Sequence, residues 1–382
     1  MTKSNKAGTF FIAAMCVFLA VTLLAFSQAV SIGVRNGLSL CGEIIIPSLF
    51  PFMILFGFLS QSRASLIFSK LLSPVTRLLN LPANAAAPLL GGIIGGYPVG
   101  ARNLAVMVRE HRLSSDNASR MLCFCVNAGP PFLLCAVGSE MLFSRPLGTL
   151  LLTSQILSSM VIGLVIGVFT SKAKQNLTEP LQNTFRPYSF CLVQAVKDAA
   201  SGIFTICAFV VTFQALSALV AKSSIAELFA VKLAELYPNI GAELINGIIL
   251  GILEVTAGCK ALSKCGFAGI ICIAGLISFS GISVIFQVLA SVHGSDIKIG
   301  AFIASRFIHC GLTVIFFMIL LKIFPQSCTA ALSLTTPLKT QASSVSGSVS
   351  LMLMCAVFLF GNGKSELLQN KKVTKKTCKS RV

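Results

Sequence analysis

Two apolar stretches that contain helix-breaking residues constrain this chain more than any other feature. The first is GGIIGGYPVGARNLAVMVRE, from Gly91 to Glu110, and the second is CFCVNAGPPFLLCAVG, from Cys123 to Gly138. Inside a bilayer the backbone must satisfy its own hydrogen bonds, so glycine and proline breaks at apolar depth persist only where protein or water covers them. Both stretches are therefore candidates for a buried site.

The composition indicates a polytopic membrane protein. Of the 382 residues, 55% are hydrophobic and 11% are charged, and the mean hydropathy of +0.88 is too high for the surface of a soluble domain. In a soluble protein the net charge of +18 would suggest nucleic acid. Here the lysines and arginines lie in short loops and one tail, as the positive-inside rule predicts, so we expect no nucleic-acid partner.

The fourteen cysteines favour neither a disulfide scaffold nor a metal site. Most stand singly in apolar runs, where cysteine packs as a small hydrophobe. Cys123 and Cys125 are the closest pair, but no second Cys or His pair completes a zinc site. His111, His293 and His309 are too scattered for a triad, and neither HExxH nor GxSxG occurs. We therefore expect no metal, haem or flavin, and no enzyme.

Uncharged runs of about 20 residues predict the spans. The first, from Thr9 to about Ser31, follows Lys3 and Lys6. It is long for the apolar region of a signal peptide, so a retained helix is favoured, and cleavage near Ser27 and Ala29 is the alternative.

The next run, from Leu38 to Gln61, carries Pro47 and Pro51, and each removes a backbone donor and must kink or break a helix. Basic residues place the loops at 63–77, 109–120 and 171–197 in the cytoplasm. The stretch between the first two loops then enters and leaves by one face, as a re-entrant hairpin.

The second half of the chain repeats the order span, broken hairpin, interrupted span, span. A polar loop with Glu227, Lys232 and Glu235 follows the first of these spans. The elements are the span 200–221, the broken stretch 241–262, the interrupted span 266–292 and the span 299–324. Counting crossings puts the second hairpin on the outer face. The sequence thus predicts an all-α polytopic membrane protein with two inverted-topology repeats, the plan of secondary transporters that bind solute between broken helices.

These elements divide the chain into five parts: an N-terminal helix at 1–37, a first transport repeat at 38–170 with its hairpin near 81–108, a cytoplasmic linker at 171–199, a second repeat at 200–324 with its hairpin near 241–262, and a C-terminal part at 325–382. The C-terminal part is Ser/Thr-rich, then apolar at 349–362, then basic. The apolar segment is short for a span, so its membrane crossing stays open. The basic end is expected near acidic headgroups.

Ionisable residues at membrane depth are costly unless paired or hydrated, so each is a functional candidate. Arg102 follows the YPVG turn, where its guanidinium could hold a carboxylate or reach the interface instead. Glu254 has the matching place in the second hairpin, and could bind a proton or solute or pair with an arginine. Arg306 and His309 lie one turn apart, as an anion contact or a packed pair.

Polar and helix-breaking residues near the two hairpins complete the predicted substrate-binding set. Their carbonyls, hydroxyls and amides could hydrogen-bond a small planar ligand, although a serine in a span often bonds back to its own helix. The full set is Tyr97, Pro98, Arg102, Asn127, Gly129, Glu254, Thr256, Ser278, Ser280, Ser283, Gln287 and Arg306.

The segments GGYPVGAR and CFCVNAGPPF, together with LEVTAGCKAL, SFSGISVIFQV and SRFIH, resemble the sporulation integral membrane proteins of the nucleoside-recognition, or Gate-domain, family. The resemblance covers about Leu38 to Phe324. It implies a fold similar to concentrative nucleoside transporters, expression in the mother cell, and export of dipicolinic acid across the outer forespore membrane. Arg102, Asn127 and Glu254 fall inside the matching motifs.

The leading hypothesis is therefore a multi-pass transporter of a small organic anion, in the cell membrane or the outer forespore membrane. Its expected partners are the anionic solute, the lipid bilayer and, as an open possibility, further copies of the chain. A transporter of nucleosides or other small metabolites is one alternative. A non-transporting sporulation assembly protein is the other, and it would need no polar residues at midplane depth.

The topology can be tested by labelling single cysteines with a membrane-impermeant reagent. Reagent added outside should label the Glu227–Pro238 segment and leave the Arg109–Arg120 loop unlabelled, because the two hairpins are predicted to enter from opposite faces. Labelling of both segments from the same side would contradict the inverted repeat.

Overall fold

The structure is a computed structural model that describes residues 3–170, 187–223, 225–236 and 240–325. Within those ranges the elements are helices, with no strand, which confirms the predicted all-α membrane class. Four helices there are long and apolar enough to cross a bilayer, or up to six if each of two bent pairs is one span.

The described residues up to 170 form nine α-helices. In order they are α1 (Lys3–Ala25), α2 (Ser27–Leu40), α3 (Ile46–Gln61), α4 (Ala64–Leu71), α5 (Ser73–Leu78), α6 (Ala86–Ile94), α7 (Tyr97–Arg109), α8 (Ser115–Leu122) and α9 (Arg145–Phe169). A 3-10 turn at Ala83–Ala85 precedes α6, and a π-helix at Phe132–Met141 precedes α9.

Seven α-helices follow in the described part of the chain between residues 187 and 325. They are α10 (Tyr188–Lys222), α11 (Ile225–Leu236), α12 (Ala242–Leu253), α13 (Val255–Leu262), α14 (Gly266–Phe279), α15 (Gly281–Val292) and α16 (Gly300–Ile323). Helices α6 and α7 pack against each other, and so do α12 and α13.

The helix with Pro47 and Pro51 does not break where the sequence predicted. A π-helical turn at Cys41–Ile45 joins α2 to α3, and the Ile46 N–H bonds the Cys41 carbonyl five residues back. Pro47 follows this turn directly, in the first turn of α3, where the wider π-helical register already interrupts the regular i→i−4 bonding. The proline is thus absorbed by a local change of hydrogen-bond register.

The first predicted span is not one straight helix. Helices α1 and α2 meet at an angle of 88°, and the bend falls at Phe26. Helix α2 packs along α10, whereas apolar side chains of α1 such as Phe10 and Phe18 are exposed. The packing on α10 sets the direction of α2, so α2 does not continue the line of α1.

Two further segments differ from the sequence prediction. The predicted polar loop is the helix α11, because IAELFAVKLAEL has apolar residues at helical spacing between its charges. The predicted linker is in part helical, since α10 begins at Tyr188. The rest of that linker, 171–186, and the C-terminal part beyond residue 325 lie outside the described residues.

Within the described ranges the buried apolar side chains form two cores. The larger core joins α6 to α9 with α13 to α16. The smaller core is built from the π-helical turn at Cys41–Ile45, α3 and α10, and takes one residue, Val99, from α7. Broken helices border both cores, and the candidate site lies between them.

Candidate functional site between the broken helices

The structure breaks its helices at the glycine, proline and acidic positions that the sequence singled out. Helices α6 and α7 are separated at Gly96, which has a φ of +88°, a conformation that glycine adopts readily. Helices α12 and α13 are separated at Glu254, and α14 and α15 at Ser280. A non-helical segment that includes Asn127 and Gly129 connects α8 to the π-helix.

Small residues let that connecting segment approach the first helix pair. A Cβ atom on Gly92 would lie 2.2 Å from the Cys125 carbonyl oxygen, and one on Gly100 would lie 2.1 Å from the same atom. Both distances are far below van der Waals contact. The glycines of GGIIGGYPVG are therefore required by backbone packing at the break.

Arg306, on α16, ties the two interrupted spans together. Its Nη1 donates to the Val126 carbonyl at 2.8 Å and to the Ser278 carbonyl at 3.4 Å, and its Nη2 donates to the Cys123 carbonyl at 2.5 Å. The side chain is fully buried, with the guanidinium carbon 4.8 Å from the centre of the Phe302 ring. It satisfies carbonyls that the helix breaks release, so its role here is structural.

A buried polar network continues from Arg306 across α9. Asn127 Oδ1 accepts hydrogen bonds from Ser159 at 2.7 Å and from Gln155 at 3.5 Å. Ser159 Oγ also lies 3.2 Å from His309 Nε2. His309 therefore packs with α9 and does not join an anion site with Arg306.

The same network reaches the second break through hydroxyl groups. Thr313 Oγ1 lies 2.7 Å from Ser158 Oγ and 2.7 Å from Ser278 Oγ. The sequence analysis missed Gln155, Ser158 and Thr313. The TSQILSS segment of α9 was the available signal, but serines in a span often bond only to their own helix.

Glu254 is buried and caps α13. Its carboxylate accepts hydrogen bonds from the Thr256 N–H at 3.1 Å and the Ala257 N–H at 2.7 Å. Gln214 on α10 donates a third at 2.7 Å. The carboxylate thus fills the anion-favouring end of α13 itself. Among the described residues, it forms no ion pair with Arg102 or Arg306.

A cavity of about 70 Å³ lies between the two cores. It is bordered by the first turns of α7 and α13, by the break after α8, and by α3, α10 and α15. Its polar or breaking lining residues are Gly96, Tyr97, Pro98, Gly129, Glu254, Thr256 and Gln287. We call it the central cavity.

Six of the twelve predicted site residues line the central cavity: Tyr97, Pro98, Gly129, Glu254, Thr256 and Gln287. Tyr97 also donates to the Ile277 carbonyl at 2.5 Å, which fixes its ring beside the second break. Ser280 and Ser283 are buried in the break itself, where Ser280 bonds the Ser278 carbonyl and Ser283 accepts from Gln287. Asn127, Ser278 and Arg306 belong to the buried network.

Arg102 lies apart from the others, in a second cavity of about 20 Å³. Met53, Gln61, Asn103 and Asp198 also line it. We call it the Arg102 cavity. Sequence analysis did not select Asp198, which it placed in the cytoplasmic linker, or Gln214, which lies in an uninterrupted apolar span.

The described ranges contain no group of three or more His, Cys, Asp or Glu side chains that could hold a metal ion. The central cavity has hydrogen-bond donors and acceptors on an apolar wall, as small-molecule sites do. At about 70 Å³ it is smaller than the roughly 300 to 1,000 Å³ of such sites, so it must widen to admit a solute.

The structural role of Arg306 can be tested by unfolding in detergent. Arg306→Gln should lower the free energy of unfolding by about 2 to 5 kcal/mol, because buried carbonyls lose charged donors. Arg109→Gln is the matched control, since Arg109 donates to the carbonyls of Ser291 and His293 at an exposed site. It should cost less than about 1 kcal/mol. Equal losses in the two variants would contradict the assignment.

Part of this chain matches a known protein family, and most of it is similar to a known membrane protein. Residues 43–174 match the Gate family model, described as nucleoside recognition. The chain is 25% identical to the sporulation integral membrane protein YlbJ of Bacillus subtilis (strain 168) over 342 residues, which cover 83% of this chain and 84% of the relative. No solved structure gives a significant match.

The matched Gate segment contains the first hairpin, the break after α8 and all of α9. This confirms the resemblance to Gate-domain sporulation membrane proteins, while the likeness to a dipicolinate transporter stays a prediction. Neither match is described as an enzyme. The chain is a multi-pass membrane protein with a Gate-family segment, similar over most of its length to a sporulation integral membrane protein.

Proposed function

We propose that this protein is a membrane transporter whose solute binds in the central cavity. The observation that supports this most is the lining of that cavity, which takes the first turns of both half-helices α7 and α13. In secondary transporters, discontinuous helices from two repeats meet at the solute site in this way. The inverted relation of the two repeats is part of the proposal.

The lining favours an uncharged, hydrogen-bonding solute. Glu254 and Tyr97 are the ionisable side chains among the described lining residues, and none of those residues is a lysine or arginine. A dianion placed there would face a carboxylate with no cation to offset its desolvation. A nucleoside-like solute can use Gln287, Thr256 and Glu254 as hydrogen-bond partners, which agrees with the recognition class of the matched family.

We also propose a role in sporulation. The support is the printed name of the Bacillus subtilis relative, which shares most of its length with this chain. The membrane concerned would be the cell membrane or the outer forespore membrane.

Uptake by proteoliposomes tests the solute class. Wild-type protein should take up labelled uridine saturably, and Glu254→Gln should slow that uptake at least about tenfold, because the amide cannot replace a carboxylate that accepts three hydrogen bonds. Glu235→Gln is the matched control, since Glu235 is exposed on α11. Equal uptake by the two variants would contradict the site. No uptake of uridine or dipicolinate by wild type would favour an assembly protein.

Dipicolinic acid is the second candidate solute, with Arg102 as its cationic contact. The supporting observation is that Arg102 forms no hydrogen bond or ion pair within the described ranges, although it is partly exposed to the Arg102 cavity. Its guanidinium is thus available for a carboxylate.

For that candidate, Arg102→Gln should weaken dipicolinate binding roughly ten- to a hundredfold, since a charged hydrogen bond contributes about 1.5 to 3 kcal/mol. Arg102→Lys should fall in between, because it keeps the charge but not the fork. The measurement is the concentration dependence of dipicolinate uptake. An unchanged affinity in Arg102→Gln would remove dipicolinate from this position.

A further inference from the structure

The central cavity and the Arg102 cavity lie one after the other along the same three helices. On α7, Tyr97 and Pro98 line the central cavity, while Arg102 and Val106 line the Arg102 cavity. The same order holds on α3 and α10. Leu49 and Ile206 line the central cavity, and Gly57 with Asp198 line the other. The two cavities are therefore successive widenings of one crevice between α3, α7 and α10.

Apolar side chains separate the central cavity from the Arg102 cavity. Met53, Val99 and Ile203 come one from each of these helices, and all three are buried in the smaller core. In this structure the crevice is closed at that level, and the Arg102 cavity has room for little more than a water molecule. A solute could therefore pass from the central cavity to the Arg102 cavity, near the C-terminal end of α3, only if these three side chains moved apart.

The Arg102 cavity carries two opposite charges that do not form an ion pair. Asp198 accepts from Gln61 Nε2 at 3.4 Å and from Gln194 Nε2 at 3.1 Å. Within the described chain, Arg102 and Asp198 have no contact between charged atoms at 4.0 Å or less. Gln61 keeps a buried Oε1 without a partner. The cavity is therefore lined by guanidinium donors and by carboxylate and amide acceptors, and the charges of Arg102 and Asp198 sum to zero.

We propose that Arg102, Asp198, Gln61 and Asn103 form a second polar subsite on the solute route, and that Asp198 is a specificity-determining residue. The subsite takes solutes with donors and acceptors but no net charge. Asp198 offsets the Arg102 charge and repels anions, because a like charge in a confined site opposes entry. This inference rests on the proposed transport function and adds a filter beyond the central cavity.

The test compares uptake of dipicolinate with uptake of uridine in proteoliposomes. Asp198→Asn leaves Arg102 without its opposing charge, so the ratio of dipicolinate to uridine uptake should rise at least about tenfold. Asp198→Glu keeps the charge and should keep the wild-type ratio. Asp116→Asn is the matched control, because it removes the same charge from an exposed carboxylate that pairs with Lys298. Its ratio should not change.

A double variant distinguishes a charge effect from misfolding caused by Asp198→Asn. Arg102→Gln/Asp198→Asn removes both charges, and its ratio should return to within about threefold of wild type. If Asp198→Asn took up uridine with an unchanged ratio, or if Asp116→Asn changed the ratio equally, the subsite would be wrong while the transport function stood. If no variant and no wild type took up either solute, the transport function would fail, and the subsite with it.

Discussion

The buried guanidinium of Arg306 is the interaction on which the broken architecture depends. A helix that stops inside a bilayer releases carbonyl groups that cannot find water. Arg306 meets carbonyls of both interrupted spans, at Cys123, Val126 and Ser278, from a third helix. One cation therefore stabilises two breaks at once, and those breaks in turn set the position of the hairpin tips. An arginine that is committed in this way has few donors left for a solute.

The main features of the fold were predictable from the sequence, because helix breaks and bilayer crossings leave local signals. Glycine and proline in apolar runs marked the breaks at Gly96 and after α8, and the run lengths marked α9, α10 and α16. The elements that were misjudged have weaker local signals. The 88° bend at Phe26 depends on packing of α2 against α10, and helix α11 has a mixed polarity that resembles a loop in a membrane protein.

The candidate site was predictable only in part, because its contacts join residues far apart in the chain. Glu254 was correctly placed beside a break, but its partner Gln214 lies 40 residues earlier and nothing local marks it. The alternatives for Arg306 could not be decided from sequence, since its carbonyl partners at Cys123 and Val126 are about 180 residues away. Arg102 follows the first break as predicted, yet it lines the Arg102 cavity with Asp198 and does not line the central cavity.

Charge placement links the structure to solute choice. The central cavity holds one carboxylate and no described basic residue, and the Arg102 cavity holds one cation opposite one carboxylate. Neither arrangement provides the excess positive charge that a free dianion would need. The family resemblance therefore predicts an anionic solute, whereas the geometry favours an uncharged one.

Equilibrium binding at the central cavity tests this account most directly. The chain contains no tryptophan, so Phe132→Trp places a single tryptophan in the lining of the central cavity, and Phe307→Trp places one on the exposed side of α16 as the control. The account predicts a saturable change of fluorescence with uridine at position 132, none at position 307, and none with dipicolinate. A saturable response to dipicolinate at position 132, with no response to uridine, would contradict it.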